Sequence, residues 1–276
     1  MTPILVFDIE TVPDVAGLRR AHGLPASLDD AAVLDSATQQ RRQQTGSDFL
    51  QPYLQQVVAI GCALRDDSGF RIGTIGTVED PEPELIRRFF ELIDKRTPQL
   101  VSWNGGGFDL PVLNHRALIH GITASRYWDW GDEDREFKWN SYLGRYHTRH
   151  LDLMDVLAMY SGRANAPLDA MARLCGFPGK LGMDGSEVHA AVRAGQLDEV
   201  RRYCETDVMN TYLLYLRFRL LRGELSAGEY AKEVSLAREK IVATDQPHWR
   251  RFIEAWDANT GEDRQEQGRS ASRPPA

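Results

Sequence analysis

Cysteine is scarce in this chain: Cys62, Cys175 and Cys204 are the only three among 276 residues. An odd, widely spread set supplies neither a disulfide framework nor a CxxC metal clamp, so a reduced, cytoplasmic protein is expected. Long apolar runs are missing too. No window approaches the roughly 20 uninterrupted apolar residues that a membrane span requires. The opening Met1-Thr2-Pro3-Ile4 lacks the basic flank of a signal peptide, and no leader is expected. Basic charge is also in deficit, with 33 Lys and Arg against 40 Asp and Glu and a net charge of −7. Proteins that grip duplex DNA through its phosphates usually carry a basic surplus. Any nucleic-acid role must therefore rest on a local site, such as one whose acidic groups are offset by bound cations. What is present in quantity is ordinary. Hydrophobic residues at 42% and charged residues at 26% fit a globule and exclude a wholly disordered chain.

The order of elements is mixed α/β. Ile4-Leu5-Val6-Phe7 reads as a buried strand, and residues 28–44 as a helix without a clean period. Residues 57–64 and 70–78 flank the turn Asp66-Asp67-Ser68-Gly69, which predicts a hairpin. A helical stripe follows over 84–96, then a strand at 100–103 and a helix over 109–120. Residues 125–149 look like an insertion. Segments 150–160 and 167–175 read as a strand or helix start followed by short helices, and 195–222 as a long helix. The expected organisation is a domain over 1–222, a helical C-terminal extension over 223–256, and a disordered tail over 257–276 whose apolar side chains are only alanine and proline.

Three short patterns carry chemistry. Asp8 and Glu10, two apart at the end of a strand, point to one face. Such a pair repels itself unless a proton or cation intervenes, and Mg²⁺ and Mn²⁺ prefer these oxygens. A strand that simply turns polar as it leaves the core accounts for the same pattern. Asn104-Gly105-Gly106-Gly107-Phe108-Asp109 lets backbone approach a ligand closely, although a capping Asp after a flexible turn also explains it. Tyr203 and Asp207 lie four apart on a helix, at the border of its apolar stripe. A Tyr–Asp hydrogen bond on a surface helix would suffice for that pair.

Taken in order, Asp8-x-Glu10, Asn104-x-x-x-Phe108-Asp109 and Tyr203-x-x-x-Asp207 resemble the motifs of the DEDD 3′–5′ exonucleases. Tyr203 places the likeness with the tyrosine subgroup; the histidine subgroup would carry His where Arg202 stands. The similarity extends over His150-Leu151-Asp152-Leu153-Met154-Asp155 and most of 1–222, and looks like a stand-alone relative of the proofreading domain of family B DNA polymerases. The resemblance implies a ribonuclease H-like fold, a mixed sheet of about five strands flanked by helices. It also implies hydrolysis of phosphodiester bonds from the 3′ end of single-stranded nucleic acid, DNA by preference and RNA as the alternative. Two divalent cations, Mg²⁺ or Mn²⁺, about 4 Å apart would serve the reaction. Asp8 would bridge them, Glu10 and Asp207 would complete the site for the attacking water, and Asp109 would hold the second ion. Tyr203, with an ordinary pKa near 10, would orient that water. Backbone near Thr11 would meet the terminal hydroxyl, and Asn104 and Phe108 would touch sugar and base; Phe108 serves equally well as core.

Other features are weaker. Trp128, Trp130, Trp139, Tyr142 and Tyr146 interleave with Lys138, Arg145, His147 and Arg149, a pattern suited to stacking single strands. Five acidic residues in the same stretch favour a packed cap as strongly. His147 and His150 lack a companion pair at ligand spacing, so solvated or phosphate-facing histidines are expected rather than zinc. Asp152 and Asp155 read as helix caps, and Lys180 as a loop lysine in water. Residues 223–276 are the expected place for a protein partner. Two rivals come from other classes: a haloacid dehalogenase-like phosphatase, which wants Asp where Glu10 stands, and a non-catalytic nucleic-acid-binding module, which would be expected to have lost a carboxylate.

Overall fold

The computed structural model describes residues 2–271, with side chains through residue 259. The first strand, β1 (Ile4–Pro13), outruns its apolar start and carries Asp8 and Glu10 inside the sheet. Helices α1 (Val15–His22) and α2 (Asp30–Thr45) follow, then the hairpin strands β2 (Gln55–Asp66) and β3 (Gly69–Thr74). Helix α3 (Glu82–Arg96), strand β4 (Gln99–Ser102) and helix α4 (Asp109–His120) come next. After the insertion, β5 (His150–Asp152) is a strand of only three residues, leading into α5 (Leu153–Leu157). Four more helices precede the last: α6 (Leu168–Leu174), α7 (Val188–Arg193), α8 (Leu197–Leu221) and α9 (Ala227–Ala243). The last, α10 (Pro247–Ala271), corrects the expectation of a disordered tail from 257. It continues through 271, and residues 272–276 lie outside the described residues.

The strand order is β3-β2-β1-β4-β5. β1 to β3 pair antiparallel, whereas β4 and β5 run parallel to β1. With helices on both faces, this is the expected ribonuclease H-like arrangement. Period-two alternation along β1 sorts its side chains. Leu5, Phe7 and Ile9 pack with α3, α4 and three insertion aromatics, Tyr127, Phe137 and Tyr142. Ile4 and Val6 pack on the opposite face, in a cluster that draws on α6, α8, α9 and α10. Each fully buried side chain of this size contributes about 1.5–3 kcal/mol. Asp8 and Glu10 continue the Ile4–Val6 row, so the same alternation that builds the core aims both carboxylates at α8.

Gly61 of β2 stands opposite Asp8. A Cβ there would lie 2.9 Å from both Cys204 Sγ and Val208 Cγ2, and 3.2 Å from the carbonyl oxygen of Cys204. Bare backbone at this position lets α8 lie close against the sheet. The C-terminal extension joins the same core through Ile241, Trp249, Phe252 and Trp256. Among the described residues, no helix is long and apolar enough to cross a membrane.

Candidate active site

Beyond the C-terminal end of β4, an open cleft is lined by Asp8, Asn104, Asp169, Lys180 and Asp207. Asp8 keeps some access from this cleft, whereas Glu10, Asp109, Tyr203 and Asp207 are buried. Asp8, Glu10 and Cys204 each offer a potential ligand atom within 4.8 Å of the others. The Cys204 thiol donates to the Asp8 carbonyl at 3.4 Å. Burial, then the surrounding carboxylates, pushes the thiol up, so it stays protonated and acts as a donor.

Asp109 is not the cap of its own helix, which corrects the simpler reading. It is the first residue of α4, and its Oδ1 accepts the N–H of Ile9 at 3.0 Å. Ile9 lies between Asp8 and Glu10, so this bond fixes α4 against the acidic segment of β1. Asp207 divides its oxygens. Oδ2 is 3.3 Å from Lys180 Nζ, while Oδ1 is buried without a hydrogen-bond partner.

The electrostatics follow from this crowding. Burial, then repulsion from Asp109 and Asp207, holds Asp8 well above the usual carboxylate range. Burial and the charge of Asp8 do the same to Glu10. Burial raises Asp109 to about 7, and it raises Asp207 despite Lys180. Buried carboxylates with one lysine among them are an uncompensated anionic pocket, costly unless protons or cations enter. The Asp8–Glu10 pair offers the oxygens that suit a hard divalent cation, and the orphaned Asp207 oxygen faces the same charged cluster, although neither Asp207 nor Asp109 belongs to the compact ligand group among the described residues.

Lys180 is corrected from a solvated loop lysine. Its Nζ donates to the Tyr203 hydroxyl at 2.5 Å and sits over the Tyr203 ring. Desolvation pulls its pKa down, but Asp207, Asp8 and Glu10 together outweigh it and raise the value, so the ammonium stays charged. The loop holding Lys180 is pinned from α8. Asn210, fully buried, donates to the Gly179 carbonyl at 2.8 Å and accepts its N–H at 3.1 Å. Sequence reasoning missed this clamp, and it missed Gly61. A lone glycine inside a strand pattern is a signal for close backbone approach.

The remaining expectations sort as follows. Asp152 caps α5, as read. It also accepts the N–H groups of Asn104 and Gly106, both at 2.9 Å, and so fixes the glycine loop. His150 pairs with Ser102 Oγ at 2.8 Å, and His147 with the Ser141 N–H at 2.9 Å. Neither belongs to a potential metal-ligand group among the described residues. Asn104 is exposed with φ 67° at the cleft lip. Phe108 is half-buried and packs on the exposed Phe49. Thr11 lies past a bulge after Glu10, its hydroxyl 3.3 Å from Gln55 Oε1. The insertion splits: Tyr127 and Tyr142 stack inside the core, while Trp128, Trp130, Trp139 and Tyr146 are exposed.

Strand order and acidic cleft together define a ribonuclease H-like domain of the PolB exonuclease type. Residues 47–256 match the family described as a predicted 3′–5′ exonuclease related to the exonuclease domain of PolB, and the chain belongs to it. Strand β1, with Asp8 and Glu10, precedes the matched stretch. The chain is similar to the catalytic polypeptide of DNA polymerase epsilon from Emericella nidulans and from Aspergillus fumigatus, each 27% identical over 145 residues. Its counterpart from Saccharomyces cerevisiae is 27% identical over 150 residues. These alignments cover 51% of this chain but only 6% of the polymerase polypeptides. Among solved structures, the family B DNA polymerase from Pyrobaculum calidifontis aligns with TM-score 0.47 and 17% identity, covering 86% of this chain and 29% of that one.

Proposed function

We propose that the protein removes nucleotides stepwise from the 3′ end of single-stranded DNA, with two Mg²⁺ or Mn²⁺ ions held by Asp8, Glu10, Asp109 and Asp207. The observation that carries this reading is the buried, partnerless Oδ1 of Asp207 beside carboxylates that lack enough counter-charge. When bound, the cations supply charge stabilisation at the attacking and leaving oxygens and acidify the attacking water. The chain's own groups do the rest. Asp8, Glu10, Asp109 and Asp207 would hold the ions, with Glu10 and Asp207 serving the attacking water and Asp109 the leaving 3′ oxygen. Burial, then Asp207, drives the Tyr203 phenol far above its ordinary pKa, so it orients water as a neutral hydroxyl and does not ionise it. Lys180, bonded to both Tyr203 and Asp207, fixes that hydroxyl and adds positive charge near the phosphate. Asn104, Phe108 and the backbone near Thr11 hold the terminal nucleotide.

The cations also answer the charge deficit, since they provide positive charge where phosphate binds. A phosphatase of the haloacid dehalogenase type is disfavoured by the family and by Glu10. A binding module without catalysis is disfavoured because all five motif residues are retained. The cytoplasmic setting, and a partner docking on residues 223–276, belong to the same proposal.

The test is a time course on 3′- and 5′-labelled DNA and RNA strands with Mg²⁺, Mn²⁺ or EDTA. The expected result is stepwise 3′ shortening of DNA, faster than of RNA and absent in EDTA. Internal cuts, or an Asp8→Ala variant as fast as the parent, would overturn it.

A further inference from the structure

A second groove opens on the far side of Tyr203, between α7, α8 and α10. Arg202 and Tyr203 line its α8 wall, and His248 and Arg251 its α10 wall. Small side chains, Ala190 and Ala191 of α7 and Ala194 just past its end, leave room along the floor. Gly182 and Met183 line both this groove and the acidic cleft, so the two are continuous.

Many arginines of the surface sit in ion pairs. Arg65, Arg88 and Arg145, for example, are all paired with carboxylates. Arg202 and Arg251 are exposed and have no ion pair or hydrogen bond with any described residue. His248, which lines the same groove, is 4% exposed. Its Nε2 is held by Glu205 at 2.9 Å, and its Nδ1 is buried without a partner. Two acids, Glu187 and Glu199, line the same groove; Glu187 is tied down as the acceptor for the Asp184 N–H, and neither pairs with Arg202 or Arg251.

Two unpaired arginines in a concave, alanine-floored groove match an oxyanion, which guanidinium binds bidentately. We infer that this groove is a phosphate subsite flanking the hydrolytic cleft, with Arg202 and Arg251 gripping a phosphate ester. The inference rests on the exonuclease reading and deepens it, giving the C-terminal extension a direct part in holding substrate. The phosphate has two sources of identical chemistry: a neighbouring phosphodiester of the strand, or the nucleoside 5′-monophosphate just released.

The experiment compares the parent with Arg202→Ala/Arg251→Ala and Arg202→Lys/Arg251→Lys in Mn²⁺. Substrates are a labelled dT12 and thymidine 5′-p-nitrophenyl phosphate, which has no second phosphodiester; dTMP is the inhibitor. A strand phosphate predicts that the dT12 KM rises about tenfold more than the ester KM in the alanine variant. The log–log salt dependence of dT12 binding should also flatten by about 0.7 per lost phosphate contact, with the lysine variant between. A product phosphate predicts instead a weakened dTMP inhibition constant with dT12 KM unmoved. Either pattern supports the subsite. Unchanged dT12 KM, salt slope and dTMP inhibition in an alanine variant with parental Tm would overturn it. If the parent cleaves neither substrate, the exonuclease reading fails separately, and dT12 binding by fluorescence anisotropy decides the groove.

Discussion

Two buried clusters of carboxylates flank the C-terminal half of β1, and they are built on opposite principles. In the first, Asp14 and Glu82 enclose Arg116, which is 3% exposed. Arg116 Nε donates to Glu82 at 2.7 Å and another of its nitrogens to Asp14 at 2.5 Å. Glu82 further accepts the Val57 N–H and pairs with His120, both at 2.7 Å. Desolvation opposes the ionised form of Asp14, but the Arg116 and Gly17 hydrogen bonds outweigh it and lower its pKa. In the second cluster, Asp8, Glu10 and Asp207 share one partly exposed lysine that does not reach Asp109, and all four are shifted upward. The first contains its own cation and ties the start of α1, β2, α3 and α4 together. The second leaves its counter-charge to be supplied from outside. Buried carboxylates within one core are thus hydrogen-bonded to a cation in one cluster and left short of one in the other.

Substitutions break this contrast in opposite directions. Asp8→Asn should cut exonuclease activity by at least about 100-fold, the upper range for losing a residue that merely supports a ligand. Its metal-free Tm should match or exceed that of the parent, because an uncompensated buried charge is removed. Nuclease assays and thermal melts in EDTA check both halves. Arg116→Met should do the reverse, costing about 3–5 kcal/mol in urea unfolding while folded molecules keep their activity. Restoring balance with Asp14→Asn and Glu82→Gln on that background should recover much of the loss. An Arg116 variant of parental stability would remove the distinction between the clusters.

Gly61→Ala sharpens the comparison by moving α8 rather than changing charge. Overpacking against Cys204 and Val208 should cost about 1–3 kcal/mol and lower kcat more than it raises KM. Adding Val208→Ala should restore part of both. The smallest effect concerns pH. A carboxyl whose folded pKa is raised binds more protons folded than unfolded, so its contribution to stability falls as pH rises. For Asp109 the window runs from its unfolded value, near 4, up to about 7. Metal-free protein should therefore lose about 5 °C of Tm between pH 5 and pH 8, and Mn²⁺ should reverse the trend. Asp14, shifted the other way, contributes stability above its unfolded pKa and loses it only below about pH 4. A Tm in EDTA that rises steadily from pH 5 to pH 8 would contradict the raised values.

The elements that sequence reading located are those whose signal is local. The apolar starts of β1, β2 and β4, the turn at 66–69 and the stripe of α3 each emerge from a window of about ten residues. β5 was ambiguous because three residues cannot show a period, and its identity comes from pairing with Leu100–Ser102. The five motif residues were picked out because each motif spans no more than six positions, so its spacing shows within one window. Lys180 was not, since its partner Tyr203 lies 23 positions away and the loop that carries the lysine has no pattern. The Arg116 cluster was invisible for a stronger form of the same reason, as Asp14 is 102 positions from the arginine.

Side-chain alternation was already written into β1: any strand built from Ile4 to Glu10 must turn Asp8 and Glu10 to the face of Ile4 and Val6. Whether those acids would then find a cation, a hydrogen-bond donor or only one another was settled by the packing of α4 and α8 around that strand. The reason is that alternation follows from backbone geometry between neighbours, whereas charge balance depends on distances through space. Those distances exist only once residues a hundred positions apart, such as Ile9 and Asp109, have been brought together.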